Sequence, residues 1–388
     1  VLPTDVNLSS LETLDLSGCS SLRSFPLISK SIKWLYLENT AIEEIPDLSK
    51  ATNLKNLKLN NCKSLVTLPT TIGNLQKLVR FEMKECTGLE VLPTDVNLSS
   101  LIILDLSGCS SLRTFPLIST RIECLYLENT AIEEVPCCIE DFTRLTVLLM
   151  YCCQRLKTIS PNIFRLTRLK LADFTDCRGV IKALSDATVV ATMEDHVSCV
   201  PLSENIEYTC ERFWDKLYRV VYLQEHFSFR NCFKLERDVR ELILRSCFKP
   251  VALPSEEIPK YFTYRAYGDS LTVIVPQSSL SQNFLRFKAC VVVEPLSKGK
   301  GFYPFLKVNV GFNGKQYQKS FSKDADLQFC KTDHLFFCSF KFESEMTFND
   351  VEFKFCCSNR IKECGVRLMY VSQEENNQQT TRSEKRMR

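Results

Sequence analysis

Two nine-residue stretches decide the fold: residues 11–19 read LETLDLSGC, and residues 101–109 read LIILDLSGC. Both follow the pattern L-x-x-L-x-L-x-x-N/C, in which x is any residue. The surrounding sequence is duplicated as well, because residues 1–46 match residues 91–136 without a gap at all but eight positions. Self-similarity at a fixed period is typical of a protein built from stacked repeats.

The pattern recurs along the first half of the chain at spacings of 21 to 24 residues. It is the signature of leucine-rich repeats, in which every repeat adds a short strand to a parallel sheet and buries its apolar face against its neighbours. The second repeat leaves open whether Asn39 or Thr40 takes the last position. Eight repeats are predicted, with first positions at Leu11, Ile32, Leu54, Leu78, Leu101, Ile122, Leu145 and Leu169.

The chain contains 20 cysteines but only three histidines. Six cysteines occupy the last position of a repeat, and most of the others lie in apolar segments, where free cysteine behaves as a small buried hydrophobe. No Cys-x-x-Cys spacing and no Cys/His cluster indicates a metal site. We therefore expect mainly structural thiols, no metal, no cofactor and a reducing compartment, either the cytoplasm alone or the cytoplasm and the nucleus.

Successive side chains of a strand point to opposite faces of its sheet. The third, fifth and seventh positions of each repeat should therefore point away from the core, on the concave side. Aromatic residues, mixed charges and aliphatic residues lie together there, and protein interfaces favour aromatic residues and arginine. We predict a partner-binding surface formed by Trp34, Tyr36, Glu38, Lys58, Arg80, Glu82, Lys84, Tyr126, Glu128 and Tyr151.

From about residue 223 the pattern changes to short segments in which apolar residues alternate with polar ones. Residues 271–275 and 351–355 are examples, and Asn313-Gly314 is a turn signal between two such segments. Alternation of this kind predicts strands with one buried face. Six or more short strands over this length indicate a β-sandwich.

The predicted architecture is an α/β leucine-rich-repeat solenoid followed by an all-β jelly-roll or Ig-like sandwich. One short helix is expected near residues 211–218, between the two parts. The last residues are rich in Glu, Gln, Asn and Arg, a composition typical of disorder. The expected order is repeats over 1–183, a connector over 184–222, the sandwich over 223–372 and a disordered tail over 373–388.

Several of these stretches resemble plant TIR-type nucleotide-binding leucine-rich-repeat disease-resistance proteins. Their repeats are similar to LDLSGCSSLR at 14–23 and 104–113, and to LENTAIEEIP at 37–46 and LENTAIEEVP at 127–136. Their post-repeat jelly-roll or Ig-like domain is similar to NCFKL at 231–235, LPSEEIP at 253–259 and IKECGVR at 361–367. Ser255 stands where the family usually has Gly, and Tyr261 where it often has Trp.

The resemblance implies the C-terminal part of an intracellular plant immune receptor. In that family the repeats and the post-repeat domain together bind a pathogen effector, which relieves autoinhibition. The whole receptor then forms a tetramer through its upstream TIR and nucleotide-binding domains. This chain has neither a TIR domain nor a G-x-x-x-x-G-K-[ST] phosphate loop. The resemblance therefore implies recognition rather than NAD cleavage or nucleotide binding.

Other classes fit the residues less well. A stand-alone scaffold that binds host proteins is the main alternative. A cell-surface ectodomain is suggested only by sequons at Asn7 and Asn97, and a hydrolase only by Asp333-His334. The net charge of +3 gives no reason to expect nucleic acid or a membrane surface as partner, although the last residues are partly basic.

Overall fold

The computed structural model divides the chain into two compact units. The repeat domain comprises residues 1–254 with 330–332, and the sandwich domain comprises residues 255–329 with 333–388. The structure describes residues 10–24, 30–180, 182–183, 226–247, 249–274, 284–295, 306–312, 315–322, 327, 330–343 and 350–369.

Short parallel strands form the main sheet of the repeat domain. Its strand order is β1-β2-β3-β4-β5-β6-β8-β10-β12-β13, and β7, β9 and β11 form a second parallel sheet. The strands are β1 (Thr13–Asp15), β2 (Trp34–Tyr36), β3 (Asn56–Lys58), β4 (Arg80–Glu82), β5 (Ile103–Asp105), β6 (Cys124–Tyr126), β7 (Glu134–Val135), β8 (Val147–Leu149), β9 (Thr158–Ile159), β10 (Leu171–Asp173), β11 (Lys182–Ala183), β12 (His226–Ser228) and β13 (Val251–Pro254).

The eight predicted repeats each contribute one strand to the main sheet. The middle residue of each strand is the fourth position of the pattern, and from β2 onward it is fully buried, as at Leu35, Leu57 and Phe81. Apolar side chains that follow the strands, such as Leu65 and Leu68, complete the core. Three 3-10 turns, Thr70–Asn74, Cys137–Asp141 and Pro161–Arg165, lie between strands in three of the repeats. The leucine-rich-repeat prediction is confirmed.

A ninth repeat, which the sequence pattern did not reveal, follows the eighth. Strand β12 pairs in parallel with β10, placing Phe227 beside Ala172. Every repeat has a positive φ of 56 to 81° at its eighth position. Asn and Gly tolerate this left-handed conformation best, and Asp is also favoured there. The nine residues are Gly18, Asn39, Asn61, Glu85, Gly108, Asn129, Cys152, Asp176 and Asn231.

The structure therefore divides the chain differently from the sequence analysis. Residues 226–254, expected in the sandwich, lie in the repeat domain. They include an unforeseen helix, α1 (Arg237–Ser246), whose Arg240 donates a hydrogen bond of 2.9 Å to the carbonyl oxygen of Pro254. The helix expected near 211–218, the rest of the connector, the Asn313-Gly314 turn and the tail lie outside the described residues.

Cys19, at the last position of the first repeat, is exposed. The six cysteines at this position in later repeats are structural. Each is buried, and its thiol donates a hydrogen bond of 2.9 to 3.1 Å to a backbone carbonyl of the preceding repeat. They are Cys62, Cys86, Cys109, Cys153, Cys177 and Cys232. In the second repeat Thr40 takes this place, since it is buried and its hydroxyl donates to the Leu37 carbonyl at 2.8 Å. Asn39 is the eighth residue of that repeat.

We expect native cysteines to react with iodoacetamide according to their burial. Burial raises the pKa of the Cys109 thiol to about 12 and also blocks access to it. Cys137 is exposed. At pH 8, Cys109 should be alkylated at least about a hundredfold more slowly than Cys137. Mass spectrometry of timed samples measures both rates, and the difference should vanish in urea. Equal rates in the native chain would contradict a buried structural role for Cys109.

The sandwich domain consists of two antiparallel sheets. One has the strand order β19-β16-β21-β14 and the other β15-β20-β17-β18. Phe287 of the first sheet meets Phe353 of the second edge to face, with ring centroids 4.7 Å apart. The strands are β14 (Tyr264–Tyr267), β15 (Ser270–Ile274), β16 (Phe284–Val293), β17 (Leu306–Phe312), β18 (Lys315–Ser322), β19 (His334–Glu343), β20 (Asp350–Cys357) and β21 (Ile361–Met369).

The LPSEEIP stretch has a packing role in this domain. Its Ile258 lies against β21, so that a β-carbon on Gly365 would come within 2.9 Å of the Ile258 Cγ2. The Ile258 backbone N–H donates to the Glu363 carboxylate at 3.1 Å. Phe262 then packs edge to face on Phe337 at 6.5 Å. The close approach of Ile258 explains why IKECGVR has glycine at position 365.

Candidate partner-binding face of the repeats

The third, fifth and seventh positions of neighbouring repeats lie in three rows across the main sheet. The parallel register places Asn56 beside Arg80, and Lys58 beside Glu82. It also places Arg80 beside Ile103. We call the surface formed by these three rows the sheet face. A rigid sheet thus brings together side chains that are far apart in sequence.

A buried carboxylate is the centre of the first half of the sheet face. Glu82 is 1% exposed and forms an ion pair with Arg80 on the same strand. The ammonium groups of Lys58 and Lys84 lie 3.9 and 3.6 Å from Glu82 Oε2. Burial by itself raises the pKa of Glu82, but Arg80, Lys84 and Lys58 outweigh burial, and the net pKa is lower than usual. Glu82 is therefore a fixed negative charge.

A second carboxylate extends this cluster to the next strand. Asp105 is 2% exposed, and its Oδ2 lies 3.5 Å from the Lys84 ammonium. Asn60 binds the cluster together, because its amide donates to Glu82 at 3.3 Å and its carbonyl accepts from the Lys84 backbone N–H at 2.8 Å. Asn60 also donates to Glu38.

Two aromatic side chains flank the cluster on strand β2. The Lys58 ammonium lies 5.5 Å from the centre of the Tyr36 ring. The Lys33 ammonium lies 5.8 Å from the centre of the Trp34 ring. Both distances suit a cation–π contact. These contacts orient large, partly exposed rings that can bury much area in a partner at little entropic cost.

The second half of the sheet face is apolar. Tyr126, Val147 and Leu171 are buried together, and Ile103, Cys124 and Leu149 pack against them. The register explains this cluster, because Ile103, Cys124, Val147 and Leu171 occupy the same position on four neighbouring strands. Desolvation raises the pKa of the Tyr126 hydroxyl well above its usual value. Sequence reasoning could have found this row by aligning the third positions of the repeats.

The ten predicted site residues lie in strands of the main sheet or just after their ends, but not equally near the solvent. Tyr151 is exposed, and Trp34, Tyr36, Glu38, Lys58, Arg80 and Lys84 are partly exposed. Glu82, Tyr126 and Glu128 are buried. Glu128 accepts a hydrogen bond from Ser107 of the preceding repeat. These three residues support the surface rather than forming its accessible part.

The sequence analysis considered Asp333 and His334 as hydrolase residues, and the structure gives each of them other surroundings. Asp333 accepts a 2.6 Å hydrogen bond from the Lys362 ammonium, and His334 is fully buried. Within the described ranges, no group of three or more His, Cys, Asp or Glu residues could hold a metal ion. None of the helices described is both long and apolar enough to cross a membrane.

The chain is similar to known proteins over both of its domains. Residues 253–375 match the C-JID domain family. The whole chain is 80% identical to part of the Arabidopsis thaliana protein SUPPRESSOR OF npr1-1, CONSTITUTIVE 1, and covers 32% of it. Disease resistance protein RPP5 from the same plant is 85% identical over 94% of this chain, which covers 25% of that protein.

More distant relatives share the same region. Disease resistance protein RPS6 of Arabidopsis thaliana is 36% identical over 93% of this chain, which covers 34% of RPS6. The chain thus spans about a third or less of the length of these curated relatives. A solved leucine-rich-repeat protein of Leptospira interrogans covers 45% of this chain, and the chain covers 60% of it, at 20% identity and a TM-score of 0.35. That likeness is too partial to support an argument.

Proposed function

Because this chain belongs to the TIR-type nucleotide-binding leucine-rich-repeat family of plant disease-resistance proteins, we propose that it recognises a pathogen effector protein. The sheet face is the proposed contact surface. The observation that carries the proposal is the composition of this face, where partly exposed aromatic rings and cations lie beside an apolar row on a rigid sheet. Aromatic residues and arginine dominate the binding energy of protein interfaces.

The proposed receptor couples recognition to defence signalling through domains upstream of this chain. An effector that binds one conformation of the receptor more tightly than another shifts the equilibrium by the difference in binding free energy. The repeat and C-JID regions supply that difference, and the TIR and nucleotide-binding domains respond to it. The proposed receptor acts either in the cytoplasm alone or in the cytoplasm and the nucleus, and it forms a tetramer only as the full-length protein.

We expect Trp34→Ala/Tyr36→Ala to weaken effector capture at least about tenfold, because hot-spot aromatic residues contribute roughly 2 kcal/mol or more each. The measurement is co-immunoprecipitation of the tagged chain from leaf cells that express a panel of pathogen effectors. Both side chains are partly exposed, so the double variant should fold.

The matched control is Val66→Ala/Leu117→Ala, which removes two side chains that are 44% and 46% exposed outside the strands. This control should capture the same effector as the wild type. If the aromatic double variant keeps full capture, the sheet face is not the contact surface. Capture of host proteins alone would contradict the proposed function and favour the scaffold.

A further inference from the structure

The charges of the cluster around Glu82 are separated by depth. The acids Glu82 and Asp105 have side chains only 2% and 3% exposed. The surrounding cations are nearer the solvent, since the side chains of Lys58, Arg80 and Lys84 are 29%, 20% and 28% exposed. Around Glu82 a partner therefore meets three partly exposed cations, and the accessible acids, Asp15 and Glu38, lie on β1 and just after the end of β2, beside Tyr36.

The two lysines retain hydrogen-bonding capacity. Their distances to Glu82 and Asp105, 3.5 to 3.9 Å, allow Coulomb attraction but are too long for strong hydrogen bonds. Each ammonium group has three donors. Because Lys58 and Lys84 approach the same carboxylate oxygen, they lie close enough together to bind one short segment of a partner.

Comparison of the third and fourth repeats with the seventh and eighth shows that this chemistry is not imposed by the repeat fold. Equivalent strand positions in the later repeats carry Leu149 in place of Lys58 and Leu171 in place of Arg80. The seventh position carries Thr175 in place of Lys84. The same backbone therefore presents cations in one half of the face and apolar side chains in the other.

We propose that the first half of the sheet face, formed by strands β2 to β4, binds an acidic polypeptide segment of the partner. Its carboxylates pair with Lys58, Arg80 and Lys84, while apolar or aromatic side chains of the segment pack on Tyr36. This inference rests on the proposed function and names the chemistry of the ligand.

A nucleic acid fits this surface less well than an acidic peptide. Duplex DNA carries one charge per ~1.7 Å of its axis, and its binders typically neutralise about 6–10 phosphates. Three cations over two buried carboxylates cannot match that density. Side-chain carboxylates spaced along a peptide can meet the cations singly and avoid Glu82 and Asp105.

Fluorescence polarisation with the full chain tests the proposal. The probes are a labelled peptide of alternating Glu and Tyr, and its counterpart with Gln for Glu. The Glu peptide should bind more tightly than the Gln peptide, and its affinity should fall as NaCl is raised, because partly exposed charges are screened. Lys58→Gln/Lys84→Gln should weaken it about tenfold.

Two matched variants separate local from general charge effects. Lys50→Gln/Lys63→Gln removes two exposed charges outside the strands and should leave binding unchanged. Lys58→Arg/Lys84→Arg keeps the charge and should keep most of the affinity. Equal binding of the two peptides, or an equal loss in the Lys50/Lys63 variant, would overturn the proposal.

The outcome for the acidic segment is separable from the outcome for effector recognition. If effector capture depends on Trp34 and Tyr36 but the Glu peptide does not bind, only the inferred ligand chemistry fails. If the Glu peptide binds at Lys58 and Lys84 but no effector is captured, the proposed receptor function fails.

Discussion

Phe229→Ala is expected to lower the free energy of unfolding of the repeat domain by about 3–5 kcal/mol, the usual cost of removing a fully buried phenylalanine. Phe229 is 0% exposed. Its ring stacks on Phe174 of the eighth repeat, with centroids 5.2 Å apart and planes 19° apart. The substitution would leave a cavity between the eighth and ninth repeats, where the stacked backbones cannot collapse to fill it.

The control for this substitution is Phe233→Ala, four residues further along the chain. Phe233 is 44% exposed, so its loss should change stability by less than about 0.5 kcal/mol. Urea unfolding of both variants, followed by circular dichroism, measures the difference. If Phe229→Ala were as mild as Phe233→Ala, residues 226–235 would not be packed as a repeat.

The eight earlier repeats could be predicted because each of them satisfies the same local requirement. An apolar residue must fill the core at the fourth and sixth positions, and a small buried donor must follow. The ninth repeat meets the same requirement with Phe227, Phe229 and Cys232, but its first position falls on Gln224. Asn231-Cys232 was the remaining signal, since these residues match the eighth and ninth positions.

The sandwich domain was predictable for a similar reason, since alternation within a strand is a local pattern. The boundary between the two domains was not predictable in this way. The change from the repeat pattern to strict alternation marks where a different kind of strand begins, whereas a domain boundary depends on which segments pack together. Residues 330–332 show this most clearly, because they belong to the repeat domain and Lys331 forms a 2.6 Å ion pair with Asp176.

The repeat pattern predicted which residues form the sheet face. It did not predict which of their side chains are accessible to solvent. The pattern assigns Glu82, Tyr126 and Glu128 to the outward positions. Whether an outward side chain is accessible depends on its neighbours on adjacent strands, which lie 21 to 24 residues away in sequence. Glu82 is covered because three cations converge on it, and Tyr126 because Val147 and Leu171 pack beside it.

Glu82→Gln is expected to destabilise the repeat domain by about 2 kcal/mol at pH 7. Removing one partner of a buried charge cluster leaves the remaining charges uncompensated, which costs about 3–5 kcal/mol when burial is complete. Here the cations are 20 to 29% exposed, and water reduces that penalty. The matched control is Glu43→Gln, which breaks a 2.8 Å ion pair with Arg23 that is mostly exposed. The control should cost about 0.5 kcal/mol or less.

The effect of Glu82→Gln should depend on pH in a defined direction. The three cations hold the pKa of Glu82 in the folded chain below its usual value of 4.5. The charged carboxylate therefore stabilises the folded state fully above about pH 4.5, and this stabilisation is lost as pH falls through the lower pKa of the folded state. Urea unfolding of wild type and variant between pH 7 and pH 3 should show a constant difference that shrinks only below about 4.5. A difference that instead grew as the pH fell would mean that Glu82 is protonated in the folded chain, and the three cations around it would then lack their buried counter-charge.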